Sequence, residues 1–330
     1  MADWSAAIAS PLLGPLALTI DCTAAAKRIE NFLHATLRKL NRRGCVLGIS
    51  GGVDSAVCAH LAARAVGPER VLGLLMPERE SSEEAGARAR RLCENLRIRY
   101  DVEDISSSLE AIGCYRRRDE AIQSLFPDYG AGWRQKILIT SGNSWTPYFN
   151  IVIQSPSGER FERRLSSEVY LQVVAATNFK QRIRKGVEYY HAERLNYAVL
   201  GTPNRLEYAL GFFVRGGDGL ADLKPIAHLY KTQVYALAEY LGVPKEIRIQ
   251  APSTDTYSLP QTQEEFYFAL SYGDADLVLY AMSNGLTPAA IAGALGREPR
   301  QVEHIIEDFE RKRVVAARTL RDSFVLESKP

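Results

Sequence analysis

Apolar and polar positions alternate along the 330-residue chain between two patterns: short apolar runs and longer stretches with apolar side chains at helical spacing. Ile29, Phe32, Leu33, Leu37 and Leu40 set that spacing across 24–40 and predict a leading helix. The run from Cys45 to Ile49 reads as a buried strand, followed by Ser50-Gly51-Gly52. Asp54 and Ser55 are residue types that cap helices, and Ala56 to Val66 keeps helical spacing until Gly67-Pro68 stops it. Val71 to Met76 is a second strand, ended by Pro77. Ser81 with Glu84 forms a capping box for a helix to about Leu96, and Ile98 to Ile105 reads as a third strand. Further on, Tyr197 to Gly201 is another apolar strand, and Tyr230 to Leu241 is a helix closed by Gly242 and Pro244. This alternation predicts an α/β fold, a doubly wound parallel sheet flanked by helices. In such sheets ligands bind beyond the carboxyl ends of the strands, where the glycine loop lies.

From about 113 to 170 the periodicity breaks at Pro127, Gly130, Gly132, Gly142 and Pro147. Phe149 to Gln154 and Glu159 to Leu165, around Ser155-Pro156-Ser157-Gly158, predict a β-hairpin on an inserted segment. Ser166 to about His191 is helical, with Lys180, Arg182, Arg184 and Lys185 forming a basic face expected to be solvated. Thr202 to Asp222 reads as a glycine-rich loop region, and Ala251 to Gln263 as a polar, mobile lid. The expected organisation is an N-terminal segment (1–23), one domain (24–320) with the insert and a helical C-terminal part (about 264–320), and a tail (321–330).

The net charge of +2 is too small to argue for nucleic acid or an anionic membrane. The five cysteines are scattered, odd in number and form no CxxC, which points to a reduced compartment without a zinc site or disulfide framework. With no signal-like or membrane-length apolar run, the expected location is the cytoplasm.

The chemistry centres on Ser50-Gly51-Gly52-Val53-Asp54-Ser55. Glycines let the backbone approach a ligand, and the amides and positive helix end after them favour an anion. Neither GxxxxGK[ST] nor GxGxxG is present at this loop. The hexapeptide resembles the SGGxDS loop of the ATP pyrophosphatases, whose fold is that of the adenine nucleotide alpha hydrolases. The resemblance implies that Ser50, Gly51, Gly52, Val53, Asp54 and Ser55 grip ATP, which is split between its α and β phosphates. It also implies that Asp54 holds Mg²⁺, a hard ion that prefers oxygen.

Further segments resemble the NAD synthetases within that group: Asn178-Phe179-Lys180-Gln181-Arg182-Ile183-Arg184, Gly201-Thr202-Pro203-Asn204-Arg205-Leu206-Glu207, the stretch from Gly211 to Pro225, Leu229-Tyr230-Lys231-Thr232-Gln233, Pro252-Ser253-Thr254-Asp255 and Glu310-Arg311-Lys312-Arg313. The likeness covers about 24–110 and 171–320. It implies that ATP adenylates the nicotinate carboxylate of deamido-NAD, pyrophosphate leaves, and ammonia displaces AMP. Asp54 and Glu207 would hold the metal, and Thr202, Lys231 and Ser253 would contact ATP. Asn178, Arg182, Arg215, Asp222 and Lys312 would contact deamido-NAD, with Asp218 at the reaction centre beside Asp54 and Lys231. Arg215 stands where the family usually has lysine, Arg311 replaces a histidine, Ser253 a threonine, and Pro203-Asn204 an Asp-His pair.

Two other readings stay open at this point. One is an adenylating amide ligase acting on another carboxylate, prompted by the insert; a tRNA thiolase fits less well, since neither nucleophilic cysteines nor an RNA-binding appendage is visible. The other is a DNA-binding module, since Leu286 to Gly296 followed by Pro299 to Val302 has helix–turn–helix spacing, although Glu298, Glu303, Glu307, Asp308 and Glu310 cancel the field of its arginines. No glutaminase fits in this length, so ammonia is expected directly or from a separate glutaminase. The family resemblance implies a homodimer.

Overall fold

The structure is a computed structural model and describes residues 13–140, 148–252, 256–268 and 270–320. The chain opens with α1 (Cys22–Lys39), whose N-terminus is capped by the Asp21 side chain accepting from Ala24 N–H. Then follow β1 (Cys45–Gly48), α2 (Val53–Val66), β2 (Val71–Leu75), α3 (Glu83–Leu96), β3 (Arg99–Val102), α4 (Ser106–Ala111) and α5 (Cys114–Gln123). Next come β4 (Arg134–Thr140), β5 (Tyr148–Gln154) and β6 (Arg160–Arg164). The chain returns through α6 (Ser167–Leu195), β7 (Ala198–Val199), α7 (Arg205–Leu210), α8 (Lys231–Tyr240) and α9 (Lys245–Arg248). It closes with a π-helical turn over Glu264–Phe268, α10 (Tyr272–Ser283), α11 (Pro288–Leu295) and α12 (Pro299–Thr319).

Strands pair in the order β3-β2-β1-β7, all parallel, with Cys45 opposite both Val71 and Ala198. Alternation along β1 assigns its two faces. Cys45 and Leu47 enter a core with Ile29, Leu33, Val57, Leu61, Val234 and Leu237, from α1, α2 and α8. Val46 enters a second core with Leu109, Tyr115, Phe179 and Ile183, from α4, α5 and α6. Helices on both faces make the expected doubly wound sheet, and the order turns back between β1 and β7, which places the ligand crevice there. A third core joins α7, α10, α11 and α12 through Leu206, Leu210, Val278, Ile291, Val302 and Phe309. The apolar side of the helix–turn–helix-like pair is therefore spent on packing.

Local structure departs from expectation at several points. The glycine-loop helix starts at Val53 with Gly52 as N-cap, so Asp54 and Ser55 lie in its first turn rather than capping it. The cap of α3 is Ser82, accepting from Ala85 N–H, one residue beyond the expected box. β3 is shorter than 98–105 because Pro77 has no N–H to extend the β2 ladder, and Ile105 N–H instead bonds Pro77 O. The predicted hairpin is present as β5 and β6, but β4 adds a third strand, antiparallel to β5. α4, α5 and α7 were not legible as helices, being short or broken by Gly113. The basic face of α6 is not uniformly solvated, since Lys180 and Lys185 are buried. All five cysteines are free, and four of them are buried. Among the described residues, no helix is long and apolar enough to cross a membrane.

Candidate active site

β1 ends at Gly48, and the chain turns into the glycine loop. Gly51 adopts φ +79°, and a Cβ there would lie 2.4 Å from Ala85 O, so both conformation and space demand glycine. Two serine hydroxyls brace the loop from within. Ser55 Oγ accepts from Ser50 N–H at 3.3 Å and donates to Gly52 O at 2.9 Å, while Ser50 Oγ accepts from Gly52 N–H at 3.3 Å. Gly52 makes no side-chain capping bond, so the start of α2 keeps its positive end turned to the crevice. Val53 is buried and anchors that turn.

Asp54, half-buried in this turn, meets residues from two other elements. Lys231, at the start of α8 and fully buried, donates its Nζ to Asp54 Oδ2. Asn204 donates Nδ2 to Asp54 Oδ1 at 3.3 Å. Asn204 is also the N-cap of α7: its Oδ1 accepts from Leu206 and Glu207 N–H at 3.0 and 3.1 Å, and Glu207 Oε2 accepts from Asn204 N–H. The capping box that starts α7 thus carries Glu207 and fixes Asp54. Burial, then the charge of Asp54, pushes the Glu207 carboxyl up to about 8. Burial alone would lower the Lys231 pKa, but the Asp54 and Glu207 charges outweigh it and raise it. Behind Lys231, buried Asp276 of α10 accepts from Lys231 N–H at 3.2 Å and Thr232 N–H at 2.8 Å. Its own burial pushes Asp276 up to about 6.

Two carboxylates here lie in the field of one lysine, and burial together with the Asp54 charge raises Glu207. An all-oxygen donor pair with one cation too few fits a hard divalent ion completed by phosphate oxygens. Among the described residues, no group of three or more His, Cys, Asp or Glu side chains forms a cage that would hold a metal without such help.

The other flank of the crevice is α6 and the loop from Gly211 to Lys224. Arg182 donates Nε to Arg215 O at 3.2 Å, and both residues are exposed. Asp222 accepts from Val199 N–H at 2.8 Å and from the Tyr189 hydroxyl at 3.3 Å. Asp218 keeps an exposed face, but its Oδ1 folds back to accept Val214 N–H at 2.7 Å, and desolvation of the carboxyl raises its pKa. Asn178 and Thr202 are half-buried. Lys312 of α12 donates to Tyr267 O at 2.6 Å and pairs with Asp308 at 2.7 Å; burial lowers its pKa. Ser253 lies outside the described residues.

The structure therefore joins Asp54 and Lys231 directly and Glu207 through Asn204, and gathers Arg182, Arg215, Asp218 and Asp222 along α6. Lys312 makes its bonds elsewhere, within α12 and to the π-helical turn. Sequence reasoning missed Asn204 as the organiser of the carboxylates and Asp276 as the cap of α8. A lone aspartate in the apolar run Ala275-Asp276-Leu277-Val278 is the signal that could have found the latter.

The family model for NAD synthase matches residues 25–144 and 147–315. The chain is 53% identical over 298 residues to the NH(3)-dependent NAD(+) synthetase of Rhizobium meliloti (strain 1021), covering 90% of this chain and 89% of the relative. In fold it is similar to the NMN synthetase from Francisella tularensis, with a TM-score of 0.65 at 23% identity over 94% of this chain and 100% of that one. It is likewise similar to an NH3-dependent NAD synthetase from Campylobacter jejuni, with a TM-score of 0.61 at 24% identity over the same shares.

Proposed function

The chain belongs to the NAD synthase family, and from that premise we propose that it is an ammonia-dependent NAD synthetase, an ATP-dependent amide ligase. A nicotinate carboxylate oxygen of deamido-NAD attacks the α-phosphorus of ATP, the bond from that phosphorus to the β-phosphate bridge oxygen breaks, and pyrophosphate leaves. Ammonia then attacks the acyl carbon of the adenylate, AMP departs, and the amide of NAD remains.

One observation supports the site assignment above others: Asp54, Lys231 and Glu207 converge from three elements beside the glycine loop. In this reading Ser50 to Ser55 cradle the phosphates. Lys231, oriented by Asp276, meets charge building on the departing pyrophosphate. Asp54 and Glu207 would hold Mg²⁺, which when bound neutralises phosphate charge and polarises the phosphoryl group. Thr202 and Ser253 donate hydroxyls to ATP, and Asn178, Arg182, Arg215, Asp222 and Lys312 bind the dinucleotide. Asp218 receives the ammonium nitrogen. The protein acts in the cytoplasm as a homodimer, taking ammonia free or from a separate glutaminase.

Purified protein with deamido-NAD, ATP, Mg²⁺ and ammonium chloride tests this. NAD, AMP and pyrophosphate are expected in equal amounts. ADP as product, or AMP formation driven by another acid but not by deamido-NAD, would refute it.

A further inference from the structure

One buried ion pair lies outside every role assigned so far. Lys185 and Glu188, three residues apart on α6, form a 2.6 Å bond, and both are buried. Two features place this pair against the crevice. On one side, Glu188 fills the space over the exit of β1: a Cβ on Gly48, two residues before Ser50, would lie 3.1 Å from Glu188 Oε1. On the other, Gly217, next to Asp218, packs so closely on α6 that a Cβ there would lie 2.8 Å from the Gln181 Cβ. Lys185 stands four residues after Gln181, one turn further along the same stripe. The Asp218 loop is thus seated on the face that carries Lys185. The charged groups that face the pair are Arg184 on α6 and Asp218 and Lys224 on the loop.

A buried lysine–carboxylate pair often gains no stability over well-packed apolar side chains of similar size. Packing alone is therefore a poor account of this one. Glu188 anchors it at the end of β1, and its lysine lies on the α6 stripe that seats the loop carrying Asp218.

We propose that Lys185 is a positioning residue for the ammonia step: tethered by Glu188 over the exit of β1, it holds the Asp218 loop where the incoming nitrogen is received. This rests on the functional reading above. In that step ammonium gives one proton to the Asp218 carboxylate, and the freed lone pair forms the bond to the acyl carbon. The bond from that carbon to the AMP phosphate oxygen breaks, and a second nitrogen proton passes to solvent.

The test uses full-length Lys185→Met, Glu188→Gln and the double variant, reading thermal stability, kcat, and KM for ammonium and for ATP. Each single variant leaves one partner of the pair unmatched and lowers the melting temperature. The double variant, with no buried charge, recovers most of that loss. KM for ammonium rises about tenfold in Lys185→Met and stays raised in the double variant, as for loss of one charge-assisted contact. KM for ATP stays within twofold. Recovery of ammonium KM together with stability in the double variant would overturn the inference, as would a parallel worsening of both KM values. Failure of the unmodified protein to make NAD is seen separately, and would overturn the parent reading and this inference with it.

Discussion

Lys180 offers the sharpest test of how the segment from α5 to β6 is fastened to the sheet. Its Nζ is buried and donates to Glu78 Oε1 at 2.8 Å, Glu80 Oε2 at 2.7 Å and Thr256 O at 2.9 Å. Glu78 and Glu80 leave the carboxyl end of β2, and Thr256 belongs to the segment that docks on β4. Replacing Lys180 by methionine keeps an unbranched apolar stem, one heavy atom shorter, and removes the charge together with its three hydrogen bonds. Breaking a buried ion pair from one side costs about 3–5 kcal/mol. The lower end applies here, because both carboxylates keep a partner. Glu78 still accepts the Tyr115 hydroxyl at 2.7 Å, and Glu80 still meets Arg118 Nη1 at 2.8 Å. We therefore expect Lys180→Met to lose about 3 kcal/mol in urea unfolding at neutral pH. Adding Glu78→Gln should return part of it. The acid limb gives a second readout. Burial raises the Glu80 pKa, but the Lys180 and Arg118 charges outweigh it and hold the carboxyl below its usual 4.5. A depressed carboxyl contributes stability above its unfolded pKa and loses it as pH falls through the folded one. That acid-side loss should shrink in the variant. A loss below about 1 kcal/mol, the range of surface pairs, would refute the claim that this network clamps the α5–β6 segment.

Lys231→Met should abolish ATP–pyrophosphate exchange while the protein stays folded by circular dichroism; exchange above a tenth of wild type would contradict a phosphate-side role for this buried cation. Gly51→Ala places a Cβ 2.4 Å from Ala85 O at φ +79°, so the loop must move. Isothermal titration should show ATP binding weakened by at least tenfold, and unchanged affinity would mean that the loop does not hold the nucleotide. His60 bonds Ala56 O through Nδ1 at 2.8 Å, and burial lowers its pKa from 6.5. A base with a lowered folded pKa contributes stability above its unfolded pKa and loses it as pH falls through the folded value. His60→Gln should flatten the decline of melting temperature below pH 6.5. An unchanged slope would assign the decline to other groups, with His228, also lowered by burial, the first to examine.

The sheet was legible because each of its inner strands is a short apolar run ended by glycine or proline, as at Gly51 and Pro77, and because the helices between them keep strict spacing. The glycine loop was legible as an ordered hexapeptide. Charges were harder to read. A lysine on a helix reads as solvated unless its partners are known, and the partners of Lys180 lie 100 and 102 residues away in sequence. α7 escaped notice because it has six residues and its start is defined by Asn204 and Glu207, whose side chains also serve the site. β4 escaped because its alternation, Gln135, Ile137 and Ile139 on one face, buries a glutamine among isoleucines.

The two flanks of the crevice differ in how their charge is balanced, and that difference bears on the order of events. On the glycine-loop flank, Asp54 and Glu207 share Lys231, and Glu207 is driven up to about 8 by burial and by Asp54. Such a site resists a bare polyanion and gains when a divalent cation arrives with it. On the α6 flank, Glu188 has its own lysine at 2.6 Å, and Arg182, Arg184, Arg215 and Lys224 outnumber Asp218 and Asp222. That flank carries surplus positive charge without any ion, which suits a dinucleotide whose reacting group is itself a carboxylate. Omitting Mg²⁺ should therefore weaken ATP binding far more than deamido-NAD binding. Equal losses on both substrates, measured by titration with and without EDTA, would place the ion between the substrates rather than on the glycine-loop side.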